Sequence, residues 1–473
     1  NLYKMNVTFI LLTLLIGAIL TFVAGKKMAL NVAVLTSLVA LGLTAFNICE
    51  FQNGTDVSFQ TQWMTKPNIW ISLKADGLSL LMVTLTTFLT PLILLTAVGK
   101  DYKNPHKLFA LVLFMAFAMT GTFLAEDGFV YYIFWELALI PIFFIALLWG
   151  SDTWEIRKAA IIKFFIYTFA GSLFMLIAFL YLYQKSGSFL LPNLAQISLT
   201  ADEQTWIFLA FFLAYAIKLP IFPFHTWQAN TYEKSPAIGT MLLSGIMLKM
   251  GVYSILRWQL PLTPQVDERV LNTVLVLCII GIIYASLIAL RETNLKRLLA
   301  YSSMAHVGLI AAGAYTFTQD GMQGAVVQML AHGIVIVALF FLVEIIYKRY
   351  GTYEIKDLGG IRAHAIKFTS FFLIFLFASI GLPGTFSFIG EFTLLYSLSQ
   401  IGWIYAILGG STIIFGAYYM LKMFEDAILG KTNVKTFADL NSIEFLVLFV
   451  LAVAVIFFGI YPKPITDLLF FSI

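Results

Sequence analysis

Charge is scarce in this chain: of its 473 residues only 11% are Asp, Glu, Lys or Arg, against about 25% in an ordinary soluble protein. With 60% hydrophobic and 16% aromatic residues it cannot clothe a body of this size in polar surface, so a water-soluble fold is excluded. Its net charge of +4 is too small to suggest binding to a phosphate backbone, which removes nucleic acid from the expected partners. Cysteine is nearly absent. Cys49 and Cys278 lie far apart in the sequence, so neither a disulfide framework nor a CxxC-type metal or cluster site can be built from them. The five histidines are scattered, and no cofactor or metal is expected in this chain. The patterns GxxxxGK(S/T), GxGxxG and HExxH are missing as well. Any work the chain does must draw on a gradient or on an attached machine.

What the sequence has in abundance is long apolar runs. A helix needs about 20 apolar residues to cross roughly 30 Å of hydrocarbon. Fourteen such runs, separated by mostly short linkers, centre on Leu14, Leu38, Thr86, Met115, Leu139, Ser172, Phe212, Met247, Ile280, Ala305, Val335, Leu382, Gly410 and Leu451. The first is too long for the apolar core of a signal peptide and has no small-residue cleavage site before Gly25-Lys26-Lys27, so it reads as a retained span. The fold class expected is an all-α integral membrane protein of about 14 transmembrane helices. Lys and Arg are held on the cytoplasmic side of a membrane. Linkers after odd-numbered spans carry 20 of the 29, Lys296, Lys431 and Lys435 among them, whereas the other face carries seven, including Lys4 and Arg257. Both chain ends are therefore expected outside, with an even number of spans.

Four charges fall inside the apolar runs: Glu136, Lys218, Lys249 and Glu391. Each costs roughly 2.5 to 3.5 kcal/mol at a bilayer centre, so each needs a partner, a watery cavity or a function. Two acids and two bases suit structural ion pairs that lock a bundle; they equally suit a row of protonatable sites. Prolines favour the second reading, because Pro141, Pro220 and Pro383 each leave a carbonyl without its helical donor near one of the charges. Broken helices line mid-membrane sites in transporters, in matching positions of inverted repeats. Lys218-Leu219-Pro220-Ile221-Phe222-Pro223 and Gly381-Leu382-Pro383-Gly384-Thr385 lie five spans apart, as if spans 4 to 8 and 9 to 13 were two copies.

Histidine supplies further relay candidates, since its unperturbed pKa is near 6.5. His306 has Ser302 and Ser303 three and four residues back on one helical face, and His332 has Gln328 four residues back. Each reads either as a packing residue or as a carrier. His106 and His364 lie in linkers and read as solvated. His225 reads as a helix-end anchor or a proton-uptake group. Asp76 opens Asp76-Gly77-Leu78-Ser79, for which a helix N-cap suffices.

The motifs Asp76-Gly77-Leu78-Ser79, Trp135-Glu136-Leu137, Lys218-Leu219-Pro220, Pro223-Phe224-His225-Thr226-Trp227, Leu248-Lys249-Met250-Gly251-Val252-Tyr253, Tyr301-Ser302-Ser303-Met304-Ala305-His306-Val307-Gly308 and Gly381-Leu382-Pro383-Gly384-Thr385 together resemble the antiporter-like subunits of respiratory complex I. The resemblance covers nearly the whole chain. It is nearest the M, or chain 4, type, which carries a glutamate at the place of Glu391 where the L and N types usually carry lysine.

The resemblance implies one polytopic membrane domain over 1–473. Within it, 1–106 would form three N-terminal helices, 107–262 a first five-helix repeat, 263–436 a second, inverted one, and 437–473 a C-terminal helix. It also implies a proton half-channel in each repeat and a polar axis of Glu136, Lys218, Lys249, His306, His332 and Glu391. Flavin, iron–sulfur clusters and quinone would sit in partner subunits, and the partners would include the L-type and N-type subunits and the lipid bilayer. The location would be a bacterial inner membrane with both ends periplasmic. One stretch departs from the family pattern: Gln228-Ala229-Asn230-Thr231-Tyr232 stands where Leu-Pro-Asp-Ala-His is usual. This puts a proton-uptake role near His225 in question and leaves Glu233 as a substitute.

The expected mechanism is a switchable pair of Glu136 and Lys218. Paired, the glutamate holds the lysine protonated; unpaired, desolvation favours release of the proton along the axis. The rivals are a subunit of a multisubunit sodium/proton antiporter, an energy-converting hydrogenase arm, and a non-conducting scaffold.

Overall fold

The computed structural model describes residues 6–430 and 436–470, so Lys4, Lys431 and Lys435, three cations used for orientation, lie outside the described residues. Helix dominates. In chain order the helices are α1 (Thr8–Val23), α2 (Gly25–Gln52), α3 (Gly77–Leu95), α4 (Pro105–Leu124), α5 (Gly128–Trp149), α6 (Trp154–Ser186) and α7 (Ala201–Lys218). After the short α8 (Gln228–Lys234) come α9 (Ala237–Leu262), α10 (Glu268–Ala289), α11 (Leu295–Ala314), α12 (Gln319–Tyr350) and α13 (Ile366–Ser379). The chain ends with α14 (Phe386–Ile401), α15 (Trp403–Leu429), α16 (Ser442–Ile460) and α17 (Lys463–Phe470). Ten of the described helices are long and apolar enough to cross a membrane, and α1 and α13 are shorter apolar helices. Thirteen of the fourteen sequence-derived centres fall in helices; Leu382 falls in the turn between α13 and α14.

Polar side chains at the helix starts explain where several begin. Asp76, Asp127, Asn294, Thr318 and Asn441 each accept backbone N–H bonds from the first turn that follows, supplying acceptors that the turn itself lacks. Asp76 makes a reciprocal box with Ser79, as its expected N-cap role requires.

The linker between α2 and α3 is structured. It folds into an antiparallel hairpin of β1 (Phe59–Met64) and β2 (Ile69–Leu73), with Phe59 opposite Leu73 and a bulge at Gln62 and Met64. Only β2 buries side chains, at Ile69, Ser72 and Leu73, so neither strand shows the period-2 alternation that marks a half-buried strand in a sequence.

Two compact units divide the chain. The first holds residues up to Lys218, Ile246–Leu271 and the last residues from Asp467; the second holds Leu219–Gly245 and Asn272–Thr466. In the first, α4 packs on α1, α2, α3 and α5, while α6 packs on α5 and α7. In the second, α12 is the centre, packed on α11, α13, α14 and α16. The most apolar part of α9 is 100% buried and that of α12 94%, whereas α2, α15 and α16 leave most of theirs outside. Exposed Leu35, Ile407 and Phe449 are on these outer helices, a surface that suits hydrocarbon.

The helix breaks fall where two of the three prolines put them. Helix α7 stops at Lys218, just before Leu219-Pro220, and α13 stops at Ser379, with α14 resuming at Phe386. Pro141 departs from the expectation: α5 runs straight through it. A proline removes one ladder bond, and a helix survives that loss when the turns on either side hold. In α9 π-helical turns form at Leu243–Met247 and Ile255–Gln259, with no proline inside either.

Three linker readings also change. Arg257 lies within α9 and pairs with Asp76 at 2.6 Å. Lys296 lies in the first turn of α11, 3% exposed, with Nζ donating to the Ser235 carbonyl at 2.6 Å. His106 lies in the first turn of α4, half-buried against the Phe22 ring at 5.7 Å. In each case an apolar stem lets a polar head reach further into the protein than a position between two apolar runs implies.

Candidate functional site

In the first unit the site begins with Asp127, fully buried at the start of α5. Its carboxylate accepts from the backbone of Phe129 at 2.9 Å and Val130 at 3.2 Å, and from Trp70 of β2 at 3.0 Å. Burial pushes its pKa above the usual carboxylate value, and the three N–H donors pull the other way. Asp127 thereby fastens the hairpin to α5 and fixes where that helix starts. Sequence reasoning missed it, although Asp-Gly before an apolar run is an N-cap signal.

Glu136 lies nine residues along, about 14 Å deeper at helical rise. It shares the single hydroxyl proton of Ser172 of α6 with the Phe169 carbonyl, which lies 2.7 Å from Ser172 Oγ. Lys218 is the last residue of α7, 2% exposed, where the helix's free carbonyls favour a cation. Its Nζ sits 4.9 Å from the centroid of the Trp135 ring, a contact worth about 2 kcal/mol when desolvated. Among the described residues Glu136 and Lys218 form no direct ion pair; each is held by a different neighbour, Ser172 and Trp135. Lys249, 1% exposed, stands on the stretch of α9 between the two π turns, and this stretch packs on α7. Such turns are frequent at functional sites.

The second unit gathers His306, His332 and Glu391. His306 Nδ1 lies 3.1 Å from Glu391 Oε1, close enough for an ion pair but not aligned as a hydrogen bond. Gln328 Nε2 donates to the same oxygen at 3.2 Å, and the His306 and His332 ring centres are 6.0 Å apart. Together with Ser302, Ser303 and Ser379, three of these four polar residues, His306, Gln328 and His332, line a void of about 10 Å³, which is about room for one water molecule. The helix break closes on Glu391 from another side. Gly381, at φ +70°, turns its backbone so closely against Glu391 Oε2 that a Cβ there would collide with the carboxylate.

The two remaining candidates behave differently. His225 is buried beside Phe222 and Tyr284, with ring centres 5.6 and 4.8 Å away. Glu233 pairs with Lys234 at 2.6 Å and Arg297 at 3.0 Å. Burial alone would raise its pKa, but these two cations hold it below the usual carboxylate value.

The sequence profile of the family described as NADH:quinone oxidoreductase/Mrp antiporter, TM, matches residues 125–416. The chain belongs to that family. It is 36% identical to NADH-quinone oxidoreductase subunit M of Rickettsia prowazekii (strain Madrid E), over 94% of this chain and 92% of the relative. It is 35% identical to NADH-ubiquinone oxidoreductase chain 4 of Chondrus crispus, over 98% and 95%. A chain of respiratory complex I from Thermus thermophilus with bound NADH superposes with a TM-score of 0.91 at 28% identity, covering 98% of this chain and 97% of that one. The expectation of the M, or chain 4, type therefore holds within the family, and with it the reading as an antiporter-like membrane subunit.

Proposed function

We propose that the chain is a proton-translocating membrane-arm subunit of NADH-quinone oxidoreductase. It conducts protons through Glu136, Lys218, Lys249, His306, His332 and Glu391, while quinone reduction in other subunits supplies the energy. The observation that carries this reading is the placing of buried ionisable groups beside helix irregularities: Lys218 at the end of α7, Lys249 between two π turns, and Glu391 against the turn at Gly381. A scaffold has no need of charges that cost this much in a membrane.

The reading includes fourteen crossings, with 107–262 and 263–436 as inverted repeats. Both chain ends lie on the periplasmic side of a bacterial inner membrane. L-type and N-type subunits are neighbours, and flavin, iron–sulfur clusters and quinone are carried elsewhere in the assembly.

Glu136 and Lys218 form the switch. When they approach to 4 Å, their attraction is about 4 kcal/mol at an effective dielectric of 20, or roughly a thousandfold in the lysine's affinity for its proton. In the open arrangement Trp135 holds the ammonium and Ser172 the carboxylate. Closing the pair loads Lys218; opening it lets the proton move to Lys249 and onward.

The test is Lys218→Met in the intact complex in membrane vesicles. It should abolish proton pumping and depress coupled NADH oxidation while leaving assembly intact, and normal pumping at normal turnover refutes the role. Glu136→Gln should act alike, with Glu136→Asp milder because the charge survives; equal severity argues for packing instead. At position 391, lysine should restore what Glu391→Gln removes, and a silent Glu391→Gln excludes the glutamate from the relay.

A further inference from the structure

A cavity of about 600 Å³ opens in the second unit where the loop after α10, the segment around Ile355 to Leu358 and the last turns of α15 meet. Arg291, Glu292, Lys356, Lys422 and Asp426 line it, a set that holds water and repels hydrocarbon. Tyr419 of α15 lines it too, although the residue is only 2% exposed. The Tyr419 hydroxyl donates at 3.0 Å to Ser302 Oγ, itself 3% exposed. Ser302 borders the small void that it shares with His306 and Gln328. One hydrogen bond between two hydroxyls therefore joins a residue that lines the polar cavity to a residue that lines the chamber beside Glu391.

Depth agrees with this order. Ser302 lies seven residues into α11, about 10 Å along its axis, and His306 is about 6 Å further. Inside the chamber, Ser303 Oγ, Ser379 Oγ, both His306 ring nitrogens and Gln328 Oε1 are buried without a hydrogen-bonding protein partner. Polar atoms of this kind are satisfied by water, and a chain of hydroxyls and water carries protons.

We propose that Tyr419 and Ser302 form a second proton inlet, leading from this cavity to His306 and Glu391; the proposal rests on the proton-translocating reading above. In each passage a hydronium in the cavity gives a proton to the Tyr419 oxygen as the tyrosine's own proton passes to Ser302 Oγ. The serine's proton moves to His306 through one water. Each hydroxyl gains one proton and loses one, so only His306 changes charge, and rotation of the two hydroxyls resets the path. Tyr419 and Ser302 act as proton carriers here and hold no charge at rest.

The experiment compares variants of the intact complex in everted membrane vesicles, measuring NADH-driven proton uptake, coupled NADH oxidation and subunit content. Tyr419→Phe keeps the ring and removes the hydroxyl; Tyr419→His restores a proton-carrying group in a different shape. Phe should lower proton uptake about a hundredfold, the low end for a positioned acid–base group, and His should recover most of it. Ser302→Ala should act like Tyr419→Phe, with Ser302→Thr active. A merely structural position gives the reverse order, with Phe tolerated and His damaging, and that result overturns the inlet, as does normal pumping by Ser302→Ala. Lys218→Met is run alongside. If it pumps normally, the translocation reading falls and the inlet with it; if it stops while Tyr419→Phe pumps normally, only the inlet falls.

Discussion

Asp76 carries two duties at once. Its Oδ1 accepts from the Ser79 backbone at 2.9 Å, capping α3, and from Arg257 of α9 at 2.6 Å. Burial raises the carboxyl's pKa, but Arg257 and the Ser79 bonds outweigh it, so the group titrates below its ordinary value of 3.8. The sign of the linkage follows: a depressed folded pKa gives stability that is fully present above the unfolded value and is lost as pH falls through the folded one. Asp76→Asn removes the charge and leaves Arg257 partly buried without its anion, which costs on the order of 2 kcal/mol after allowance for the pair's partial exposure. At neutral pH the variant complex should denature at a lower temperature than the parent. The difference should narrow as the buffer is acidified below about pH 4; a gap that is constant with pH places the effect in the cap's shape and not in its charge.

Helix contacts decide how close Glu391 comes to its partners. A Cβ on Gly390 would meet Cα of Gln328 at 2.9 Å, backbone against backbone, so nothing can swing aside. Gly390→Ala must therefore move α14 away from α12, and with it Glu391 away from Gln328 and His306. The expected result is a large loss of pumping with the subunit still assembled, at a position that bears no proton; unchanged pumping would mean that the distances around Glu391 are not critical. The sequence told part of this. Lys218-Leu219-Pro220 and Gly381-Leu382-Pro383 announced two breaks because proline lacks an N–H and clashes with the turn before it. Pro141 misled because the same local rule is overruled when neighbouring turns hold the helix, as in α5. The π turns beside Lys249 left no trace, since they are set by packing around α9 and not by any residue type in it. Gly390 was equally silent: a glycine in a helix shows its purpose only when the facing helix is known. His306 and Glu391 could be named from the sequence, but their 3.1 Å approach depends on two turns and a close helix contact.

For the molecule as a whole, orientation rests on where basic residues fall. Arg257, partly buried, and Lys296, buried, lie within helices, but they stand on opposite sides of the count, so removing both leaves the asymmetry as strong. The signal is robust because it sums many linkers. It becomes a test with two exposed positions: Ser198, in the loop between α6 and α7, and Lys356, in the loop after α12. Five expected crossings separate them, which is odd, so they should face opposite sides. Cys49 is exposed and Cys278 buried, so Cys49→Ser gives a quiet background. In everted vesicles an impermeant maleimide should label Lys356→Cys and spare Ser198→Cys, and in intact spheroplasts the pattern should reverse. The opposite pattern turns the chain over and places the cavity beside Tyr419 on the outer face, making it an outlet. Labelling of both from one side means that one of the five segments does not cross. The segment broken at Lys218-Leu219-Pro220 is then the first to examine, because the inverted-repeat reading counts it as a full span.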